Sequence, residues 1–178
     1  MSRITLSVVL GEYGDGKTTF LTCLGYLAQC MGKDVYSNYN LNFPHYRLES
    51  LDDLDQVRDG LLLLDEFWYT IDSRSANTKE NKFSSVVLSK SRKRNLHIAF
   101  SEQGFDLVDR RFRDRTRIIF LPKLNRPKDP QFLSVEIYKR DKFGEFRKGN
   151  KLLLFDLKNI LTKFDTNEEL TPLKLENR

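Results

Sequence analysis

Hydrophobic and polar positions alternate along this chain in blocks that read as strands and helices in turn. An apolar run at residues 4–10 has strand character, and residues 17–29 carry the spacing of a helix. Short apolar segments at 34–37, 61–65, 96–101 and 117–121 supply further strands, each bounded by polar or turn-forming residues. A short helix is predicted over 51–58, introduced by Ser50 as N-cap. A helix over 84–93 and a helical turn over 106–112 complete the alternation, and the polar, aperiodic stretch 73–82 reads as a mobile loop. Pro122, Pro127 and Pro130 end this pattern. Beyond them, 132–140 and 145–154 alternate as two strands around a turn at 141–144, followed by a closing helix at 156–162 and a frayed tail at 171–178. The expected architecture is α/β: a mainly parallel sheet between helices in a core of residues 1–122, and a small C-terminal β-hairpin appendage in 123–178, all in a single domain.

The segment between the first strand and the first helix carries the most specific chemistry. Residues 11–18 read Gly11, Glu12, Tyr13, Gly14, Asp15, Gly16, Lys17 and Thr18, followed by Thr19, in the strand, glycine loop and helix context of a P-loop. Three glycines let the backbone turn its N–H groups toward a phosphate, and the start of the helix adds donors and a favourable dipole. Lys17 is placed to reach the β- and γ-phosphates of ATP, and Thr18 to ligate Mg²⁺.

A second element supplies the remaining groups. Residues 60–66 read Gly-Leu-Leu-Leu-Leu-Asp-Glu, an apolar strand whose C-terminal end opens on two acids, where ligand crevices of parallel sheets lie. In the Walker-B role Asp65 holds the Mg²⁺, and Glu66 polarises an attacking water. The adjacent pair favours water over a second substrate as nucleophile. Asp65 as a plain helix N-cap is the alternative reading.

Composition narrows the class. With 178 residues and 39% hydrophobic content the chain builds one ordinary core. No window approaches the roughly 18 consecutive apolar residues of a membrane span, and a cytoplasmic location is expected. Cys23 and Cys30 sit seven apart on the first helix, about 10 Å from each other at helical rise, too far for a disulfide; both are expected to be buried core side chains. Charge is uneven: residues 1–83 net −4, residues 84–117 net +5 and residues 118–178 net +4. A basic surface C-terminal to the glycine loop suggests a polyanionic partner.

Three blocks together carry a resemblance: residues 11–18, residues 61–66, and the run Ser91 to Arg113, Ser-Arg-Lys-Arg-Asn-Leu-His-Ile-Ala-Phe-Ser-Glu-Gln-Gly-Phe-Asp-Leu-Val-Asp-Arg-Arg-Phe-Arg. The chain resembles the HerA/FtsK-type motor ATPases, including viral DNA-packaging ATPases and Zot-like phage proteins. The likeness covers most of residues 4–121, and the run from Phe164 to Glu169 is similar to a Tyr-Asp-Thr-x-Glu element of archaeal viral ATPases. The resemblance implies a homo-oligomeric ring acting on double-stranded DNA, with a capsid or portal protein as a possible partner. It places the 96–101 strand between the other two, so that Gln103 projects between Lys17 and Glu66 as a γ-phosphate sensor, with Ser101 as runner-up. It also implies an arginine acting in trans; Arg113 is favoured, Arg94 second, with Arg92, Arg110, Arg111 and Arg115 as further candidates.

HerA and FtsK proteins are larger, and Zot-like proteins usually carry a membrane segment after the ATPase core. The aromatic run 67–69 serves either as packing or as a base-contacting platform. Two other classes share the glycine loop: a nucleotide kinase, which needs a lid arginine and an acceptor motif, and a non-motor ATPase switch acting on a protein.

Overall fold

The computed structural model describes residues 6–66, 93–125, 131–171 and 173. The 73–82 loop, residues 84–92 of the predicted helix, the aromatic run 67–69, Arg92, Pro127 and Pro130 lie outside the described residues, as does nearly all of the predicted tail.

The described strands form one sheet of eight, in the order β3-β2-β4-β5-β1-β6-β7-β8. β1 (Leu6–Leu10), β2 (Asp34–Ser37), β3 (Tyr46–Arg47), β4 (Gly60–Leu64), β5 (His97–Glu102) and β6 (Ile118–Leu124) run parallel. β7 (Phe132–Arg140) and β8 (Phe146–Phe155) are antiparallel additions beside β6. Residues Leu6 to Leu10 are all buried, as strands covered on both faces must be.

Helix α1 (Lys17–Cys30) covers one face, packing Phe20, Leu21 and Leu24 against Val9, Val35, Leu63 and Ala99. The short α3 (Leu157–Leu161) packs beside it. On the other face Leu51, Leu54, Val57, Val108 and Phe112 close over Val8, Leu62, Leu64 and Ile98. Phe112 belongs to α2 (Arg110–Arg113), the link between β5 and β6.

Several expectations change. Residues 51–58 form only a 3-10 turn at Asp53–Asp55. Ser50 Oγ does accept from the N–H groups of Asp52 and Asp53, but Asp53 Oδ2 accepts from those of Glu49 and Ser50, and this local bonding competes with helix propagation. The 106–112 turn splits into a 3-10 turn at Phe105–Leu107 and α2, because Val108 is extended and Asp109 starts a new cap by accepting from Arg111 N–H. Pro122 does not end its strand. β6 continues to Leu124 opposite β7, and Pro122 lies past the last β1 pair, where one flank of the strand no longer needs donors. The hairpin is therefore continuous with the core sheet. Cys23 is buried, its thiol pushed up to about 12 by desolvation, but Cys30 is exposed, since burial on α1 ends after Gly25.

Candidate functional site

Parallel strands β1, β4 and β5 deliver three polar segments to one edge of the sheet. The segment after β1 is the glycine loop. Gly14 and Gly16 hold φ of 85° and 88°, a region costly for any residue with a Cβ, and a Cβ on Gly16 would lie 2.9 Å from Leu124 Cγ and Leu133 Cδ1. Asp15 closes the loop by accepting from Glu12 N–H at 2.8 Å. Tyr13 at its crest is 95% exposed, and Thr19, facing inward, is buried.

Lys17 Nζ folds back over the loop and donates to the carbonyls of Gly11 and Glu12 at 2.8 and 3.0 Å. The ammonium therefore sits across the concave side of the loop, where an anion drawn to the N-terminus of α1 meets it. Thr18 Oγ1 donates to Asp65 Oδ2 at 2.7 Å, joining the first turn of α1 to the end of β4. This hydroxyl and carboxylate are hard oxygen donors of the kind that hold Mg²⁺ together with substrate phosphates and waters.

Two side chains that the sequence reading did not assign to the acids hold them in place. Asn38, buried at the end of β2, reads the Asp65 backbone from both sides: Nδ2 donates to Asp65 O and Oδ1 accepts from Asp65 N–H, each at 2.8 Å. Ser101, buried on β5, donates its hydroxyl to Asp65 Oδ1 and accepts from Glu66 N–H at 2.8 Å. The Asp65 carboxylate is thus held through both oxygens, as a buried charge requires. Glu66 is exposed and adopts φ 46°, an uncommon left-handed conformation stabilised by that Ser101 bond.

Ser101→Ala removes a donor from a buried carboxylate and an acceptor from Glu66 N–H. It is expected to cost about 1–3 kcal/mol in urea unfolding, with Ser101→Thr restoring most of the loss.

β5 lies between β1 and β4, with Leu10 opposite Glu102. Gln103 follows one residue beyond that pair, exposed, its N–H bonded to Glu102 Oε1. Ser101 makes the contacts to the acids. Arg94 sits before β5 at the opposite edge of the sheet, where Nη1 donates to Leu54 O at 2.6 Å and Nη2 lies 3.7 Å from Asp55. Arg113 closes α2, half-buried, and with Arg111 helps hold the Asp109 carboxyl below its ordinary range, Arg111 hydrogen bonding being the larger cause.

A cleft of about 510 Å³ opens beside Thr18, Asp65 and Glu66, walled by Tyr13, Tyr39 and the segment from Phe164 to Thr171. The chain reaches this place from α3. Phe164 bridges Leu41, Asn42 N–H donates to Lys163 O at 2.7 Å, and Glu168 accepts from Asn40 N–H at 2.7 Å while pairing with Arg47 at 3.0 Å. The Phe164–Glu169 element thus lies over the acid pair, placing Asp165, Glu168 and Glu169 in the same wall. Beneath it Tyr39 is fully enclosed; burial drives its phenol pKa well above the ordinary value, and its hydroxyl shares a 3.2 Å bond with Thr22.

No family model matches the chain. Over 90 residues it is 30% identical to the uncharacterized ORF2 proteins of Spiroplasma viruses SpV1-R8A2 B and SpV1-C74, a match over 46% of this chain. It spans only 27% of the length of these relatives. Among solved structures it is similar to the N-terminal domain of zonular occludens toxin from Neisseria meningitidis, with TM-score 0.62 and 17% identity over 92% of this chain and all of that one. It is also similar to the genome packaging NTPase B204 of Sulfolobus turreted icosahedral virus 2 in complex with AMPPCP, with TM-score 0.52 and 10% identity over 83% of this chain and 97% of that one. These likenesses make the fold that of a P-loop NTPase.

Proposed function

We propose that this chain is a viral ATPase whose hydrolysis drives DNA movement, most simply the packaging of a double-stranded genome. The observation that carries the reading is the Thr18–Asp65 bond with Lys17 on one side and Glu66 on the other. It joins the P-loop and Walker-B roles in one constellation.

In this reading residues 11–19 bind the triphosphate and Lys17 exchanges its loop carbonyls for phosphate oxygens. Thr18 and Asp65 would hold Mg²⁺, which neutralises charge on the β- and γ-oxygens when bound. Glu66 accepts a proton from the attacking water. Asn38 and Ser101 keep both acids aimed, and Gln103, on the same edge, is the proposed γ-phosphate sensor. An arginine from a neighbouring subunit completes the site in a ring; Arg113 suits this role better than Arg94, whose guanidinium is bound within its own subunit. A HerA/FtsK-type kinship, a capsid or portal partner and a cytoplasmic site of action belong to the same proposal. No helix among the described residues is long and apolar enough to cross a membrane.

A second reading, a Zot-like ATPase of virion assembly, is favoured by the higher TM-score and full coverage of the zonular occludens toxin domain. Steady-state ATP hydrolysis measured across protein concentration, with and without duplex DNA, separates these readings. Turnover that rises with both is expected of the ring motor. Turnover that rises with concentration and ignores DNA selects the assembly ATPase, and phosphate transfer to an added nucleoside monophosphate would overturn both.

A further inference from the structure

Two basic segments distant in sequence are neighbours in the fold. Residues 109–117 and 139–148 together hold ten Lys/Arg against four Asp/Glu, a net of +6, while the whole chain nets +5. All other residues therefore sum to −1, and the protein's net positive charge is carried at this one end of the sheet.

Arg140 builds the juxtaposition. Its N–H donates to Arg117 O at 2.9 Å, its Nη1 to Arg113 O at 3.1 Å and to Asp114 O, and its Nε to Gly144 O at 2.8 Å. The guanidinium also stacks over Phe146, 5.3 Å from the ring centre. One side chain thus caps the C-terminal carbonyls of α2 and ties them to the hairpin turn. Asp141 shapes that turn by accepting from Phe143 and Glu145 N–H at 2.8 and 3.1 Å.

The outcome is a firm platform on which Arg117, Lys139, Lys142 and Arg147 are all exposed. Lys139 stands directly opposite Arg147 across the β7–β8 ladder, and this pair projects on the sheet face opposite to the neighbouring Arg140–Phe146 pair, so that cations flank this end of the sheet on both sides. Three of the four acids accompany the cluster's own cations, Asp109 with Arg111, Asp114 with Arg110 and Asp141 with Arg147. The Arg110–Asp114 pair, 86% and 63% exposed, is weak enough to exchange for another anion.

The platform lies at the edge where the parallel strands begin. Arg117 N–H bonds Leu6 O at the start of β1, whereas the glycine loop follows the end of β1. Nucleotide and basic cluster are at opposite edges of the sheet.

We infer that this basic end of the sheet grips the phosphate backbone of duplex DNA without reading its sequence, an assignment that rests on the DNA-moving reading above. A cluster of exposed cations on a fixed backbone suits a regular polyanion. Single strands require a series of aromatic faces for successive bases, and the two segments expose only Phe143, 74% accessible.

The test uses the triple variant Arg117→Gln, Lys139→Gln, Lys142→Gln, none of whose positions touches the nucleotide edge. Binding of a labelled mixed-sequence duplex is followed by anisotropy between roughly 50 and 200 mM salt. The expected result is at least ~10-fold weaker binding at the low-salt end, with the slope of log K against log salt reduced by about 0.9 per lost phosphate contact, close to 3 in all. Lys33→Gln with Lys158→Gln, removing charge elsewhere, should leave the slope unchanged. An unchanged slope in the triple variant, equal loss in the control, stronger binding to single strands, or no DNA binding by the parent protein would each overturn the inference. Loss of self-association in the variant without loss of DNA binding would overturn it too, making this end of the sheet a contact between copies. ATP hydrolysis by the parent protein alone reports on the broader reading, so the two can fail separately.

Discussion

Replacing Glu66 by Gln is expected to leave ATP binding within about two-fold of the parent protein and to lower turnover by about 10²- to 10⁴-fold, the range of a lost general base. The substitution keeps side-chain size and the backbone N–H that Ser101 accepts, so the acid site should stay assembled. What disappears is a carboxylate able to take a proton. The backbone supports a functional use of this position: φ of 46° at a non-glycine residue is seldom populated, and here it follows directly on the strand end that Asn38 and Ser101 fix. Binding of a fluorescent ATP analogue and single-turnover hydrolysis would measure the two properties separately. Turnover within about ten-fold of the parent protein would remove Glu66 as the base.

The largest structural effect is expected at Gly60, where β4 begins. A Cβ there would stand 2.2 Å from Asp34 O and 2.9 Å from Asp34 C, both backbone atoms of the paired strand. A flexible side chain could turn away from such a contact, but the backbone can yield only by separating β2 from β4. Gly60→Ala should therefore cost about 3 kcal/mol, at the upper end of overpacking effects. For a chain of this size that is a fall of roughly 6–12 °C in melting temperature. The same strand pair ends at Asn38 and Asp65, so nucleotide affinity should fall with stability. A circular dichroism melt within about 2 °C of the parent protein would contradict the Asp34–Gly60 register.

The glycine loop, its flanking strand and helix, and the acid pair after β4 were legible in the sequence because each is a local signal. Glycines, a lysine and a threonine at fixed offsets, or an apolar run closed by two carboxylates, need no tertiary information. Asn38 and Ser101 give no such signal. Each is a small neutral side chain at the end of a parallel strand, and its role exists only once β2 and β5 are set on either side of β4. The strand order that brings Ser101 to Asp65 came from resemblance and not from pattern. The hairpin was legible as a hairpin, but its fusion to the sheet was hidden by Pro122, whose breaking tendency depends on which flank of the strand carries hydrogen bonds. The placement of Phe164–Glu169 over the acid pair follows from α3 packing beside α1, a contact between residues more than a hundred positions apart. Residues 51–58 failed for the opposite reason: the helical spacing was present, but serine and aspartate side chains bonded the backbone first.

The Arg117–Leu6 bond has a mechanical consequence. β1 runs unbroken from that bond to the glycine loop, and five residues at about 3.3 Å each make a strut roughly 17 Å long. It is flanked on both sides by hydrogen-bonded strands and buried throughout. A displacement of the phosphate edge between nucleotide states would be carried along this strut to the far edge as a tilt of the sheet. In the DNA-moving reading proposed above, a power stroke would be the rocking of a stiff lever, its stroke length set by strand length and the angle of tilt.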